Sequence, residues 1–237
     1  MITNKDICII IPIYKDNINN LLSNDEIESI NHTIKIMYNY DIYFLCNENL
    51  DITFYKKFSN VKYKFFNFKT KEQYSNMCLN YKFYKMFLDY KYMLICQPDA
   101  YIFKDTLIEW CNKEYDYYGS LILFYDNYDA ILTDDVDNIN AYTIKAFNGG
   151  FSLRNINSFY NVCYKNKEQL INETMNEDLY ICWHLNDHLK IITPKDAIKF
   201  GAETLVHSIY PKLYNELPFG CHTIKTRNTL YEIFNSI

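Results

Sequence analysis

Apolar and polar positions along this chain alternate between two rhythms. The run Ile7-Cys8-Ile9-Ile10-Ile11-Pro12-Ile13 is continuously apolar and largely β-branched, which predicts a strand covered on both faces. Tyr14 and Lys15 stand at its carboxyl end. Ser23-Asn24-Asp25-Glu26 then has the S-x-x-E form of a capping box, and Ile27, Ile30, Ile34 and Met37 follow on one helical face. The spacing predicts further strands at Ile42 to Cys46, Val61 to Phe68 and Tyr92 to Cys96, with a helix from Lys71 to Asp89 before the last. The later half predicts a strand at Phe147 to Leu153, helices at Ile156 to Tyr164 and Asn176 to His188, and a strand at Lys190 to Ile192. Thr193-Pro194 supplies an N-cap with proline in the first helical position.

Strands that alternate with helices need crossover connections. The expected fold class is therefore α/β, with a mostly parallel central sheet flanked by helices and ligands bound beyond the carboxyl ends of the strands. No repeat or linker divides the 237 residues, so a single domain is expected over 1–237. Asp126, Asp129, Asp134, Asp135 and Asp137 punctuate a weakly periodic segment that reads as a solvated loop with room to act as a lid.

Composition narrows the classes of function. Lys and Arg number 24 against 29 Asp and Glu, a net charge of −5, which opposes the phosphate-neutralising surface that nucleic-acid binding needs. The 24 Tyr and 16 Phe, with plentiful Asn, Ile and Lys, read first as the imprint of an AT-rich genome. None of the 8 cysteines forms a C-x-x-C pair, so they are expected as reduced core thiols. The first apolar run is too short to span a bilayer, no transmembrane segment is expected, and a cytoplasmic location follows, with peripheral contact to the inner membrane face left open.

Four short segments carry chemistry. Gln97-Pro98-Asp99-Ala100 places one carboxylate just past a strand, where Mg²⁺ or Mn²⁺ could use it and take further ligands from water and phosphates. The same position also suits an ordinary turn residue. Asn148-Gly149-Gly150-Phe151-Ser152-Leu153-Arg154 spends two of only 5 glycines side by side, which permits close backbone approach to a ligand, and Arg154 offers a fork for phosphate or carboxylate. Asn176-Glu177-Asp178 opens a helix with paired acids, a dipole-favoured placement that also suits general-base work on a hydroxyl. His184 and His188 lie four apart on that predicted helix, but the zinc-protease motif is absent, so their role is structural. Leu217-Pro218-Phe219-Gly220-Cys221-His222 presents an imidazole able to join Asp99 on one divalent ion.

In this order and spacing, the four segments resemble a bacterial family long labelled a domain of unknown function and grouped with glycosyltransferases of the GT-A fold. Tyr115-Asp116-Tyr117-Tyr118-Gly119 looks like that family's Y-D-Y-I-G stretch, and the resemblance runs from Ile11 to His222. Gln97-Pro98 stands where the family usually has Q-T, and Ser120-Leu121-Ile122 follows Gly119 where Pro-Trp is common. The resemblance implies a GT-A-like fold, Rossmann-like in its sheet, with residues 1–105 as the nucleotide-binding half and 106–237 as the acceptor-binding half. It implies a nucleotide-sugar donor, a UDP-sugar in first place, and a glycan or lipid-linked glycan acceptor. Mn²⁺ or Mg²⁺ would be held by Asp99 and His222. Pro12, Tyr14, Gln97, Asp99, Gly149, Gly150 and Arg154 are the expected donor contacts, and Gly149-Gly150 with Glu177 and Asp178 are also expected to line the acceptor side. Asp178 is the expected base, with Glu177 in reserve, which predicts transfer with inversion. A binding module without turnover and a metal-dependent nucleotidyltransferase are the competing readings. The carboxylates at 99, 177 and 178 argue against the first, and the lack of a Gly-rich basic loop near the first strand argues against the second.

Overall fold

The computed structural model describes residues 1–15, 22–123, 144–171, 173–204, 206, 207, 210 and 216–235. The predicted aspartate-rich loop lies outside these residues.

A six-stranded sheet runs in the order β3-β2-β1-β4-β7-β6. The strands are β1 (Ile7–Ile13), β2 (Asp41–Asn47), β3 (Lys62–Phe66), β4 (Tyr92–Cys96), β6 (Tyr117–Leu123) and β7 (Ile144–Asn155). β1 pairs in parallel with β2 and β4, and β2 with β3. β7 runs antiparallel to both β4 and β6, so strands from the two halves of the chain share one sheet. The expected central strand is β1, buried along its whole length, and Pro12 lies inside it opposite Leu45.

The helices are α1 (Asn24–Ile36), α2 (Lys71–Cys78), α3 (Tyr81–Lys85), α4 (Leu107–Cys111), α5 (Ile156–Lys165), α6 (Lys167–Leu170), α7 (Glu177–His184), α8 (Pro194–Phe200) and α9 (Ile224–Asn235). The capping box of α1 forms in both directions: the Ser23 hydroxyl accepts the Glu26 N–H at 3.2 Å, and the Glu26 carboxylate accepts the Ser23 N–H at 2.7 Å. Thr193 caps α8 as expected, accepting the Asp196 N–H at 3.3 Å.

Three expectations need correction. The helix predicted from Lys71 to Asp89 is two helices, because Asn80 breaks it and its side chain accepts the Lys82 N–H at 2.9 Å to start α3. The helix predicted to His188 stops at His184, which leaves His188 beyond its end. The strand predicted at Lys190 to Ile192 shrinks to a single bridge between Tyr117 and Ile191.

A second sheet, too short to announce itself in the sequence, has the order β5-β9-β8. It consists of β5 (Tyr101–Ile102), β8 (Gly201–Ala202) and β9 (Gly220–Cys221). β5 and β9 are antiparallel, with Tyr101 opposite Cys221 and Ile102 opposite Gly220. Gly220 lies against the Phe151 ring, where an added Cβ would sit 2.3 Å from Cζ. This close approach seats the small sheet on β7.

Much of the tyrosine content is structural. Tyr84, Tyr117 and Tyr118 are wholly buried and donate their hydroxyls to the carbonyls of Cys78, Phe147 and Trp110 at 2.6, 2.6 and 2.7 Å. The eight cysteines are free, and all but Cys182 are buried.

Candidate functional site

Three chain segments meet where β1 and β4 end. Gln97-Pro98-Asp99 leaves β4, and the Gln97 N–H donates to the Gly150 carbonyl at 2.9 Å, which ties this turn to the glycine pair of β7. β9 delivers His222 to the same place: the imidazole Nε2 lies 3.1 Å from Gln97 Oε1 and 3.7 Å from Asp99 Oδ1. The two residues expected to share a cation therefore stand side by side. Gly150 explains part of this, because a Cβ there would lie 2.5 Å from His222 Nε2 and 2.7 Å from Gln97 Oε1. Glycine alone leaves the two side chains where they are.

The far side of the imidazole has its own partner. His222 Nδ1 lies 3.2 Å from Glu203 Oε1, and the Asn148 amide nitrogen donates to the same oxygen at 3.1 Å. Burial pushes the imidazole pKa down, but the hydrogen bond and charge of Glu203, with the charges of Asp99 and Asp178, more than offset this and raise it. Asp178 thus acts electrostatically on the same ring. The residue after His222 is unusual, since Thr223 has φ of 74°, a left-handed conformation that β-branched residues rarely adopt. Its hydroxyl accepts the Thr226 N–H at 3.2 Å at the start of α9.

Glu177 and Arg154 have turned inward. Arg154 is fully buried, and its guanidinium donates to Ser152 Oγ at 3.1 Å, Tyr84 Oη at 3.0 Å, the Gly149 carbonyl at 3.4 Å and Glu177 Oε1 at 3.3 Å. Its donors are used within the core, so in this arrangement it does not reach toward donor phosphates as expected. Ser75 of α2 joins the group, accepting the Glu177 N–H at 2.7 Å and donating to Glu177 Oε2 at 3.3 Å. The Glu177 carboxyl sits above its usual range because of burial, with Arg154 pulling the other way. Gly149 accommodates it, for a Cβ there would lie 2.2 Å from Glu177 Oε1. Glu177 is consequently a structural partner, whereas Asp178, one residue on, is only partly buried. Pro12, expected beside the nucleotide, is enclosed in β1.

Next to Gln97 opens a cleft of about 250 Å³ lined by Tyr14, Thr70, Lys71, Tyr74 and Gln97. Tyr14 is 49% exposed at the cleft wall. No motif in the sequence marks Thr70, Lys71, Tyr74 or Glu203, each an ordinary residue type.

Among the described residues, no three His, Cys, Asp or Glu side chains gather into a cage for a metal ion. The donor set is smaller: the Asp99 carboxylate, His222 Nε2 and the amide oxygen of Gln97. It nevertheless fits a divalent ion that draws the rest of its shell from water and substrate oxygens, because two oxygen acceptors face an imidazole nitrogen whose opposite nitrogen already has a carboxylate partner.

A family model described as "Protein of unknown function (DUF5672)" matches residues 56–222. This chain belongs to the DUF5672 family. That match covers β3 through His222 and so includes all of the site except Tyr14. No curated protein matches the sequence. Among solved structures, this DUF5672 chain is similar to the galactosyltransferase LgtC in complex with donor and acceptor sugar analogs, with a TM-score of 0.55 and 12% identity over 97% of this chain and 96% of that one. An active-site mutant of LgtC gives a TM-score of 0.52 and 11% identity over 92% of this chain and 87% of that one. At such identity the likeness shows a GT-A-like fold. No helix among the described residues is long and apolar enough to cross a membrane.

Proposed function

We propose that this protein transfers a sugar from a nucleoside diphosphate to an acceptor hydroxyl. The observation that carries the reading is the meeting of Asp99, His222 and Gln97 at the carboxyl ends of β1 and β4, beside a cleft bounded by the exposed ring of Tyr14. Open α/β sheets bind ligands at this edge. The GT-A-like fold supports a nucleotide-sugar donor, of which a UDP-sugar is the first to test.

Tyr14 would stack on the base, with Lys71 and Thr70 at the cleft wall to meet polar groups of the nucleoside. Asp99, His222 and Gln97 would hold Mn²⁺ or Mg²⁺. A divalent ion there supplies Lewis-acid stabilisation to the departing diphosphate. Asp178 would accept the proton of the acceptor hydroxyl as its oxygen bonds to the anomeric carbon and the bond from that carbon to the diphosphate oxygen breaks. A single displacement of this kind inverts the anomeric centre. Glu177, held by Arg154 and Ser75, would position the helix that carries Asp178. The acceptor proposed is a glycan or lipid-linked glycan, handled by the later half of the chain, at a cytoplasmic location.

The test is incubation with a panel of nucleotide sugars and Mn²⁺, reading release of nucleoside diphosphate and the configuration of the product. Release with inversion is the expected result. Release of pyrophosphate would replace the reading with nucleotidyl transfer, and neither product across the panel, with no thermal shift from any nucleotide, would leave a module without this activity.

A further inference from the structure

Glu203 touches none of the groups that would meet substrate, yet the chain builds a relay toward it. Asn148 has its amide oxygen committed: it accepts the N–H of Gly150 at 2.7 Å and of Phe151 at 3.1 Å. Its amide nitrogen is therefore the end that faces outward, and it donates to Glu203 Oε1 at 3.1 Å. A carboxylate accepts only, so the nitrogen of His222 that faces the same oxygen at 3.2 Å must carry hydrogen. The neutral ring has one N–H, and with Nδ1 holding it, Nε2 is left as a lone pair. That lone pair points at Gln97 Oε1 and Asp99 Oδ1, which are also acceptors. Three electron-rich atoms facing one another call for positive charge between them, which a second ring proton on Nε2 supplies when the imidazole is charged and a bound cation would supply in its place. The second oxygen of Glu203, buried and without a hydrogen-bond partner, adds negative potential behind the ring.

We infer that Glu203, oriented by Asn148, is a positioning residue that fixes the imidazole of His222 in its Nδ1–H form and so keeps Nε2 available to a divalent cation shared with Asp99 and Gln97. The inference rests on the metal reading proposed above. Outer partners of this kind are typically worth 10–100-fold in metal affinity.

Two measurements test it without reference to turnover. Nitrogen-15 spectra of the imidazoles in metal-free protein, in alkaline buffer, report which nitrogen carries hydrogen, with His222→Asn used to assign the signal. Titration of Mn²⁺ followed by the resonance of the free ion gives affinity for the native chain, Glu203→Ala and Glu203→Gln. The native ring is expected as Nδ1–H. Glu203→Ala should mix the two forms and weaken Mn²⁺ 10–100-fold, while Glu203→Gln, which keeps an oxygen acceptor, should recover much of the affinity. An Nε2–H ring in the native protein would overturn the inference, as would Glu203→Ala binding Mn²⁺ like the native chain. If the native chain binds no Mn²⁺, the metal reading fails on its own, and the spectra still decide whether Glu203 sets the ring. Should Glu203→Ala fail to fold, the native spectrum and Glu203→Gln remain decisive.

Discussion

The Asp99 carboxylate stands 3.7 Å from the His222 imidazole, with Gln97 Oε1 closer still to the same nitrogen at 3.1 Å. The Asp99 side chain is about one-third exposed, so it contributes little to folding, and under the proposed function it shares a cation with His222. Asp99→Asn should lower sugar transfer by at least about 10²-fold, the order seen when a group stabilising developing charge is removed. Its melting temperature should stay near that of the native protein. Activity close to native in Asp99→Asn, measured with saturating Mn²⁺, would dismiss the residue as a ligand.

Gly150→Ala tests the space beside that pair. The new methyl would meet His222 Nε2 at 2.5 Å and Gln97 Oε1 at 2.7 Å, both ends of side chains that can move aside. The expected outcome is a folded protein with weakened Mn²⁺ binding and transfer, at a stability cost within about 1–3 kcal/mol. Metal binding equal to native would show that the crowding is absorbed elsewhere.

The Arg154–Glu177 ion pair is enclosed by Tyr84, Ser75 and Ser152, so removing one member strands the other. Arg154→Met should destabilise the fold by about 3–5 kcal/mol in urea unfolding. The double variant Arg154→Met with Glu177→Gln should regain a substantial part of this, because the stranded charge is gone. If the single change costs under about 1 kcal/mol, the pair is not what holds α7 against β7.

Thr223 carries backbone strain directly after His222. Asparagine tolerates the left-handed region and caps helices at least as well as threonine, so Thr223→Asn should stabilise the protein by about 0.5–1 kcal/mol. Thermal unfolding reads this, and a lower midpoint would mean that the threonine methyl contributes packing worth more than the strain.

Acid should weaken the tie between Lys15 and the start of α1. Lys15 Nζ bonds both oxygens of Glu26 at 2.7 and 2.8 Å, and Glu26 also accepts the Ser23 N–H. Burial pushes the Glu26 carboxyl up, but the hydrogen bonds from Lys15 and Ser23 outweigh this and leave it below its ordinary value of 4.5. An acid with a lowered folded value binds its proton more readily when unfolded. Its contribution is therefore present above the ordinary value and lost as pH falls through the lowered one. Glu26→Gln should flatten the fall of melting temperature with acid, leaving a residual slope from Asp41, which Lys62 and Tyr90 also hold low. An unchanged slope would rule out the Lys15–Glu26 contact as a source of acid sensitivity.

Long periodic elements were legible in the chain. β1 and β4 begin and end where the apolar runs do, and the Ser23–Glu26 capping box forms as its spacing suggests, because local chemistry alone decides them. The helix broken at Asn80 shows the limit, since a side-chain cap can divide a continuous apolar face. Asp99 and His222 could be picked out by residue type, but β5 and β9, which bring them together, have two residues each and carry no readable pattern. Arg154 misled for a related reason: whether a guanidinium faces solvent or a buried glutamate depends on a partner distant in the chain. Glu203 was invisible, as one glutamate among many.

The β5–β9 ladder sets the spacing of Asp99 and His222 together with the Gln97–Gly150, His222–Ala202 and His222–Glu203 contacts, so length can vary between these strands only in loops that leave β7, β8 and Glu203 in place. Ala100, which joins Asp99 to Tyr101, and the direct link from Cys221 to His222 have no such latitude. One residue added at either junction would rotate a donor to the opposite side of its strand. Relatives that share this chemistry should accordingly differ in the length of the intervening loops while keeping those two junctions fixed.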